Sequence, residues 1–176
     1  MTPDWTLRPA APDDAAALSL IGGATFLESF AGILEGEAII AHVSSQNSAD
    51  SFAKYLAAGA KGWLAEAAQG GAPIGYALLT APDLPGGEDG DIELKRIYTL
   101  SRFHGSGMGA ALMQAAVEAA SGYKRLLLGV YRHNARAIAF YQKQGFEPIG
   151  TRQFNVGGTI YDDLVLAKPL NAISNE

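Results

Sequence analysis

The segment His104-Gly105-Ser106-Gly107-Met108-Gly109 lies between a strand-like stretch, Ile92 to Leu100, and a helix-like one. In the latter, Met108, Leu112, Ala115 and Ala119 recur at helical spacing, and Ser121-Gly122 stops the pattern. A strand that feeds through glycines into a helix is a narrow constraint. The N–H groups of a first helical turn have no intrahelical partner, and the helix dipole is positive there. Glycines let a bulky anion approach that backbone closely. Gly105, Gly107 and Gly109 therefore read as a cradle for phosphates. The plainer alternative is a tight turn that needs only backbone freedom. Two familiar phosphate loops do not fit. A P-loop would continue with Lys and Ser or Thr, whereas Ala110 and Ala111 follow Gly109. A dinucleotide fingerprint has another glycine spacing and usually opens the first βα unit.

The rest of the chain supplies a frame for this element. Trp5 to Arg8 reads as a strand, and Pro12-Asp13-Asp14 opens a helix that runs through Leu18, Ile21 and Thr25 towards Phe30, with Gly22 and Gly23 as weak points. Helices follow over Glu35–His42 and Ser48–Leu56. Trp63–Glu66 and Gly75–Leu79 read as strands joined at Gly70-Gly71, and Pro82–Gly90 as an acidic loop. The next strand alternates at Ile92, Leu94 and Arg96. Leu126–Val130 is a continuous apolar run, as in a strand covered on both faces. Asn134 caps a helix carrying Ile138 and Tyr141 on one face, and Gly145-Phe146 ends it. Glu147–Val156 and Thr159–Leu166 form two last strands joined at Gly157-Gly158. This order predicts one α/β domain over residues 1–170 with a frayed polar tail at 171–176.

Glu93-Leu94-Lys95-Arg96-Ile97-Tyr98-Thr99-Leu100, followed by the glycine segment and Ala110-Ala111-Leu112, resembles the GNAT superfamily of N-acetyltransferases. The resemblance continues in Asn134-Ala135-Arg136-Ala137-Ile138-Ala139-Phe140-Tyr141 and then Gly145-Phe146. It implies a mixed, mostly antiparallel sheet of about six to seven strands with helices on both faces. The family's loop begins with Gln or Arg. His104 holds that position when the glycines and Leu112 are aligned, and Arg102 holds it in a register shifted by two residues.

The resemblance also implies the cosubstrate, acetyl-CoA, and its contacts. The pantetheine arm would lie along Ile97, Tyr98 and Thr99 like an added strand. The pyrophosphate would sit on the backbone N–H groups from Gly105 through Ser106, Gly107, Met108 and Gly109 to Ala110, with His104 donating a hydrogen bond to a phosphate. Asn134, Ala137, Phe140 and Tyr141 would border the arm, with core packing the alternative for Phe140.

Acetyl transfer to an amine needs a neutral nucleophile, a stabilised oxyanion and a proton for the departing thiolate. By the same resemblance Tyr141 is the general acid, Glu93 accepts the amine proton, the Tyr98 N–H helps hold the oxyanion, and Glu28 grips the acceptor. The alternatives are a core aromatic for Tyr141, a solvated or salt-bridged strand charge for Glu93 and an idle surface acid for Glu28. There is no cysteine, so a thiol acyl-enzyme is excluded and direct attack in a ternary complex is the economical route.

Composition narrows the partners. The net charge of −5 argues against nucleic acid and favours a small cationic amine, such as a polyamine, as acceptor. Thr25 to Phe30, with Phe52 and Tyr55-Leu56, weakly resembles the polyamine-acetylating branch. His42, His104 and His133 are scattered, so no metal is expected. No apolar run spans a bilayer and no secretory signal opens the chain, which leads us to expect a cytoplasmic protein without a membrane partner. A homodimer stays open. So do two rival functions: a non-catalytic CoA-binding sensor, and an acetyltransferase acting on protein N-termini or lysines.

Overall fold

A computed structural model describes residues 3–156 and 158–171. Seven strands form one sheet in the order β1-β2-β3-β4-β5-β7-β6. They are β1 (Trp5–Pro9), β2 (Lys61–Ala67), β3 (Pro73–Thr80), β4 (Asp91–Thr99), β5 (Arg125–Tyr131), β6 (Glu147–Val156) and β7 (Thr159–Pro169). All neighbours are antiparallel except β4 and β5. The helices are α1 (Ala15–Phe30), α2 (Gly36–Ser45), α3 (Ala49–Ala57), α4 (Met108–Ala119) and α5 (Ala135–Lys143). Residues 172–176 of the expected tail, and Gly157 of the last turn, lie outside the described residues.

The two sheet faces bury different helices. Trp63, Ala65, Ala77, Leu79, Leu126, Leu128 and Val130 pack with Met108, Leu112, Met113 and Ala116 of α4 and Tyr141 of α5. Leu64, Tyr76 and Leu78 face Leu18 and Ile21 of α1 and Phe52 of α3. The alternation along β2 and β3 thus assigns each residue to one of two cores. Gly22 and Gly23 do not interrupt α1. A Cβ at Gly22 would stand 3.1 Å from the Phe52 ring, and one at Gly23 3.1 Å from Val43, so both glycines let α3 and α2 pack close. That packing outweighs their low helix propensity.

β4 departs from the simple alternation read in the sequence. Leu79 pairs with Leu94 but Leu78 pairs with Arg96, so Lys95 is an extra residue, a β-bulge. Ile92 and Leu94 face the α4 core, whereas Arg96 turns to the other face, over Phe52 and against Asn47 and Gln46. The bulge also coincides with the end of β4–β5 pairing. That ladder holds only Asp91, Ile92 and Glu93 against Arg125, Leu126 and Leu127. Beyond it β4 stays paired to β3 as far as Thr99, and β5 to β7 as far as Tyr131. Between them the sheet is open.

Candidate active site

At one mouth of the opening stands the glycine turn. Gly105 and Gly107 have φ of +82° and +86°, a left-handed backbone that favours glycine, and no atom lies within 4 Å of a Cβ built at either. The first intrahelical bond of α4 runs from Ala111 N–H to the Gly107 carbonyl, so the N–H groups of Gly109 and Ala110 precede it. The Met108 N–H reaches Ser106 Oγ at 3.4 Å. Met108 itself, at 1% exposure, is a core residue whose sulfur packs against Gly75. Its backbone, and not its side chain, borders the loop.

His104 and Arg102 part company. Arg102 lies over the Phe103 ring, 5.2 Å from its centroid, beside a cleft lined by Asp4, Ile74 and Leu100. His104 Nδ1 accepts from the Arg136 guanidinium of α5. Arg136 was not singled out from the sequence, although it sits inside the Asn134–Tyr141 segment. Asn134 caps α5, its Oδ1 accepting the Ala137 N–H at 3.1 Å. Phe140 packs about one ring contact from Gly109, 3.8 Å from a Cβ there, and so joins α5 to the start of α4.

Tyr141 is buried in the α4 core, its ring tilted against Phe140 and Phe146. Its hydroxyl makes no hydrogen bond among the described residues and is not one of the sealed polar atoms. Burial, with the neighbouring Tyr98 adding, holds that hydroxyl above the ordinary tyrosine range, so it stays protonated. Tyr98 points to the other face, stacked on Tyr76 at 6.0 Å, and burial raises it too.

Glu93 shares that other face and is 2% exposed. Its Oε2 accepts the Asp83 N–H at 2.8 Å, and Lys95 Nζ stands 4.0 Å from Oε1. Burial pushes its carboxyl up from the usual range, while the Asp83 N–H and Lys95 oppose the rise. Around it the register gathers Gly129 and Tyr131 of β5, Arg152 and Phe154 of β6, and Tyr161 and Asp163 of β7. The rings of Phe26, Phe30, His42, Tyr131, Phe154 and Tyr161 form one chain of contacts from α1 and α2 to the β6–β7 hairpin. Sequence reasoning missed this packed ring cluster, because its members come from distant segments.

The two Glu28 oxygens accept the Ser101 N–H at 2.9 Å and the Ser101 hydroxyl at 2.6 Å, tying α1 to the turn after β4. Asp91, the first residue of β4, is buried and ion-paired with Arg125, with contacts of 3.0 and 2.7 Å. Among the described residues no three His, Asp or Glu side chains group as metal ligands. No helix there is long and apolar enough to cross a membrane.

A bulged β4 split from a parallel β5, with a phosphate-ready helix start at the gap, defines an acyl-transfer scaffold. The acetyltransferase (GNAT) family matches residues 27–146, and the chain belongs to that family. An uncharacterised N-acetyltransferase of Mycobacterium tuberculosis is 35% identical over 159 residues, 89% of this chain and 98% of its own. The spermine/spermidine N(1)-acetyltransferase of Bacillus subtilis is 32% identical over 71 residues, 39% of this chain and 47% of its own. The PaiA N-acetyltransferase of Thermoplasma acidophilum, solved with coenzyme A, superposes with a TM-score of 0.77 at 20% identity, covering 96% and 99% of the two chains. The protein is thus an acyltransferase of the N-acetyltransferase class.

Proposed function

We propose that this protein moves an acetyl group from acetyl-CoA to a primary amine by direct attack in a ternary complex. The observation that carries the reading is the opening between β4 and β5, which has anion-ready N–H groups at one mouth and a buried carboxylate beyond the other. The residues present suit CoA: Gly105 and Gly107 leave open space, and Gly109 and Ala110 offer N–H groups that a pyrophosphate can take. His104 and Arg136 add a paired donor set beside them. When bound, acetyl-CoA supplies the activated acyl carbon.

The chain's own residues do the rest. Backbone groups of Ile97 and Thr99, unpaired on the β5 side, hold the arm as an added strand would. Glu93 accepts the proton that leaves the amine as its nitrogen bonds to the acyl carbon. The Tyr98 N–H, expected to steady the oxyanion, turns instead towards β3, because Tyr98 pairs with Tyr76 and has the same parity as Leu100, which donates to Ile74; the N–H groups on the open edge are those of Ile97 and Thr99. Tyr141, kept protonated, gives its hydroxyl proton to the sulfur as the C–S bond breaks. One proton therefore travels from amine to thiol, and no covalent enzyme intermediate is needed.

For the acceptor we read a small cationic amine such as a polyamine, in the cytoplasm. The support is the likeness to the Bacillus subtilis spermine/spermidine acetyltransferase, the acidic chain and the aromatic ring cluster, whose faces attract cations. A panel of amines assayed by thiol release tests this. Polyamines should lead, and added salt should lower kcat/KM more than kcat, since salt screens capture. Neutral or acidic amines outperforming every polyamine would overturn the acceptor and leave the reaction standing.

A further inference from the structure

The face that carries Glu93 also carries an ion pair with no part in the scheme above. Arg152 and Asp163 are cross-strand partners on the β6–β7 hairpin. Arg152 Nη2 donates to Asp163 Oδ2 at 2.8 Å, and Asp163 is buried. From there the guanidinium lies over β5. A Cβ built at Gly129 would stand 2.9 Å from Nη2 and 3.2 Å from Cζ. Gly129 is not among the glycines of positive φ, so its missing side chain supplies clearance, not an unusual backbone. The Arg152 Cζ also stands 5.5 Å from the Phe154 ring centroid, and Nε is sealed from solvent without a partner. Acid, ring and bare backbone thus leave the guanidinium little choice of position.

That position is beside Glu93. Gly129 lies two residues beyond Leu127, the β5 partner of Glu93, and so projects to the same face. Diagonal neighbours of this kind are ~7–8 Å apart, within the reach of long side chains. The charged groups that face Glu93 among the described residues are Asp83 from the loop above, Lys95 from its own strand and Arg152 from the hairpin. Lys95 is shared with the Asp83 carboxylate at 3.2 Å, whereas Arg152 is fixed. We propose that Arg152 is a positioning residue for acetyl transfer: clamped by Asp163 over Gly129, it sets a fixed positive charge beside the Glu93 carboxylate that receives the amine proton. This rests on the reading of Glu93 as proton acceptor. Burial alone works against that role, because a protonated carboxyl cannot accept, and the guanidinium counters burial.

The test is the pH profile of kcat/KM at saturating acetyl-CoA, with kcat measured alongside. Arg152→Met should move the acid limb upward by ~1 unit, so that activity lost near neutrality returns at higher pH. Arg152→Lys should bring the limb back towards its original place. Gly129→Ala should move it in the same direction as Arg152→Met without changing any charge, because the new methyl displaces the guanidinium. Where Arg152→Met alone fails to fold, leaving Asp163 buried and unpaired, the double variant with Asp163→Asn carries the measurement. An acid limb unmoved in a folded variant, with activity lowered equally at every pH, would overturn the proposal. So would a loss confined to the KM of the acceptor. Glu93→Gln separates the two readings. If the acid limb survives in it, Glu93 is not the base and that reading fails. If the limb disappears there but stays put in Arg152→Met, only the role of Arg152 falls.

Discussion

The two mouths of the β4–β5 opening are made of different materials. On the α4 side the groups on offer are backbone N–H groups, those of Gly109 and Ala110 at the helix start beside two left-handed glycines, while His104 and Ser106 already donate to Ser101 and Phe103. On the opposite face stand side chains from α1, α2, β4, β5, β6 and β7 that meet through sheet register. A site built from backbone tolerates changes of side chain but not of φ. A site built from side chains does the reverse, and it depends on every strand keeping its place.

Tyr141 lies where the two meet, and replacing it should break the comparison most sharply. Tyr141→Phe keeps the ring among Phe140 and Phe146 and removes only the hydroxyl. The turnover should fall ~10²–10⁴-fold, while affinity for CoA, measured by calorimetry, stays near that of the parent. Unchanged turnover would return Tyr141 to the core alone. Gly107→Val acts on the backbone-built mouth. It forces a branched side chain into φ of +86°, at a cost of about 1–3 kcal/mol. Calorimetry should show CoA binding weakened ~10-fold or more, with the ring cluster on the other face undisturbed. Equal affinity in a folded variant would contradict the cradle.

Smaller effects sharpen the contrast. Asn134→Ala removes the cap of α5 and should cost about 1 kcal/mol, seen as a modest drop in Tm. Another effect belongs to the ring cluster of α1 and α2 and to pH. Burial against Phe26 and Phe154, with Arg96 adding, pushes the His42 imidazole down to about 4 from its ordinary 6.5. A histidine held neutral in the fold and charged in the unfolded chain stabilises fully above the unfolded value. That contribution is lost as pH falls from about 6.5 towards 4. His42→Phe should flatten the fall of Tm across that window. An identical slope in both proteins would show that His42 is not held neutral.

Legibility in the sequence follows the same division. The glycine turn, the α5 cap at Asn134 and the order of all seven strands rest on signals a few residues long. The bulge at Lys95 does not, because it appears only when β4 is laid against β3, and it sends Arg96 to the face opposite the one its spacing suggests. Glu28 carries no mark of its attachment to Ser101, 73 residues away. Gly129 looks like one more small residue in an apolar run until Arg152 is seen crossing it. The Arg136 contact with His104 was nearer to hand, since both residues lie in segments already singled out.

The unequal pairing of β4 has a consequence for the unliganded protein. Most sheets keep their unsatisfied rim at the outer edges, where water or a covering loop can meet it. Here a second rim runs into the middle of the sheet, along Ile97 to Thr99 on one bank and the end of β5 on the other. Peptide groups on that inner rim have to find water or a visitor thin enough to fit between two strands. Amide protons there should exchange with solvent faster than those of the β3–β4 seam, and slow when the gap is filled. The sheet is thus left unfinished at its centre, and whatever lies in the seam acts for a time as an eighth strand.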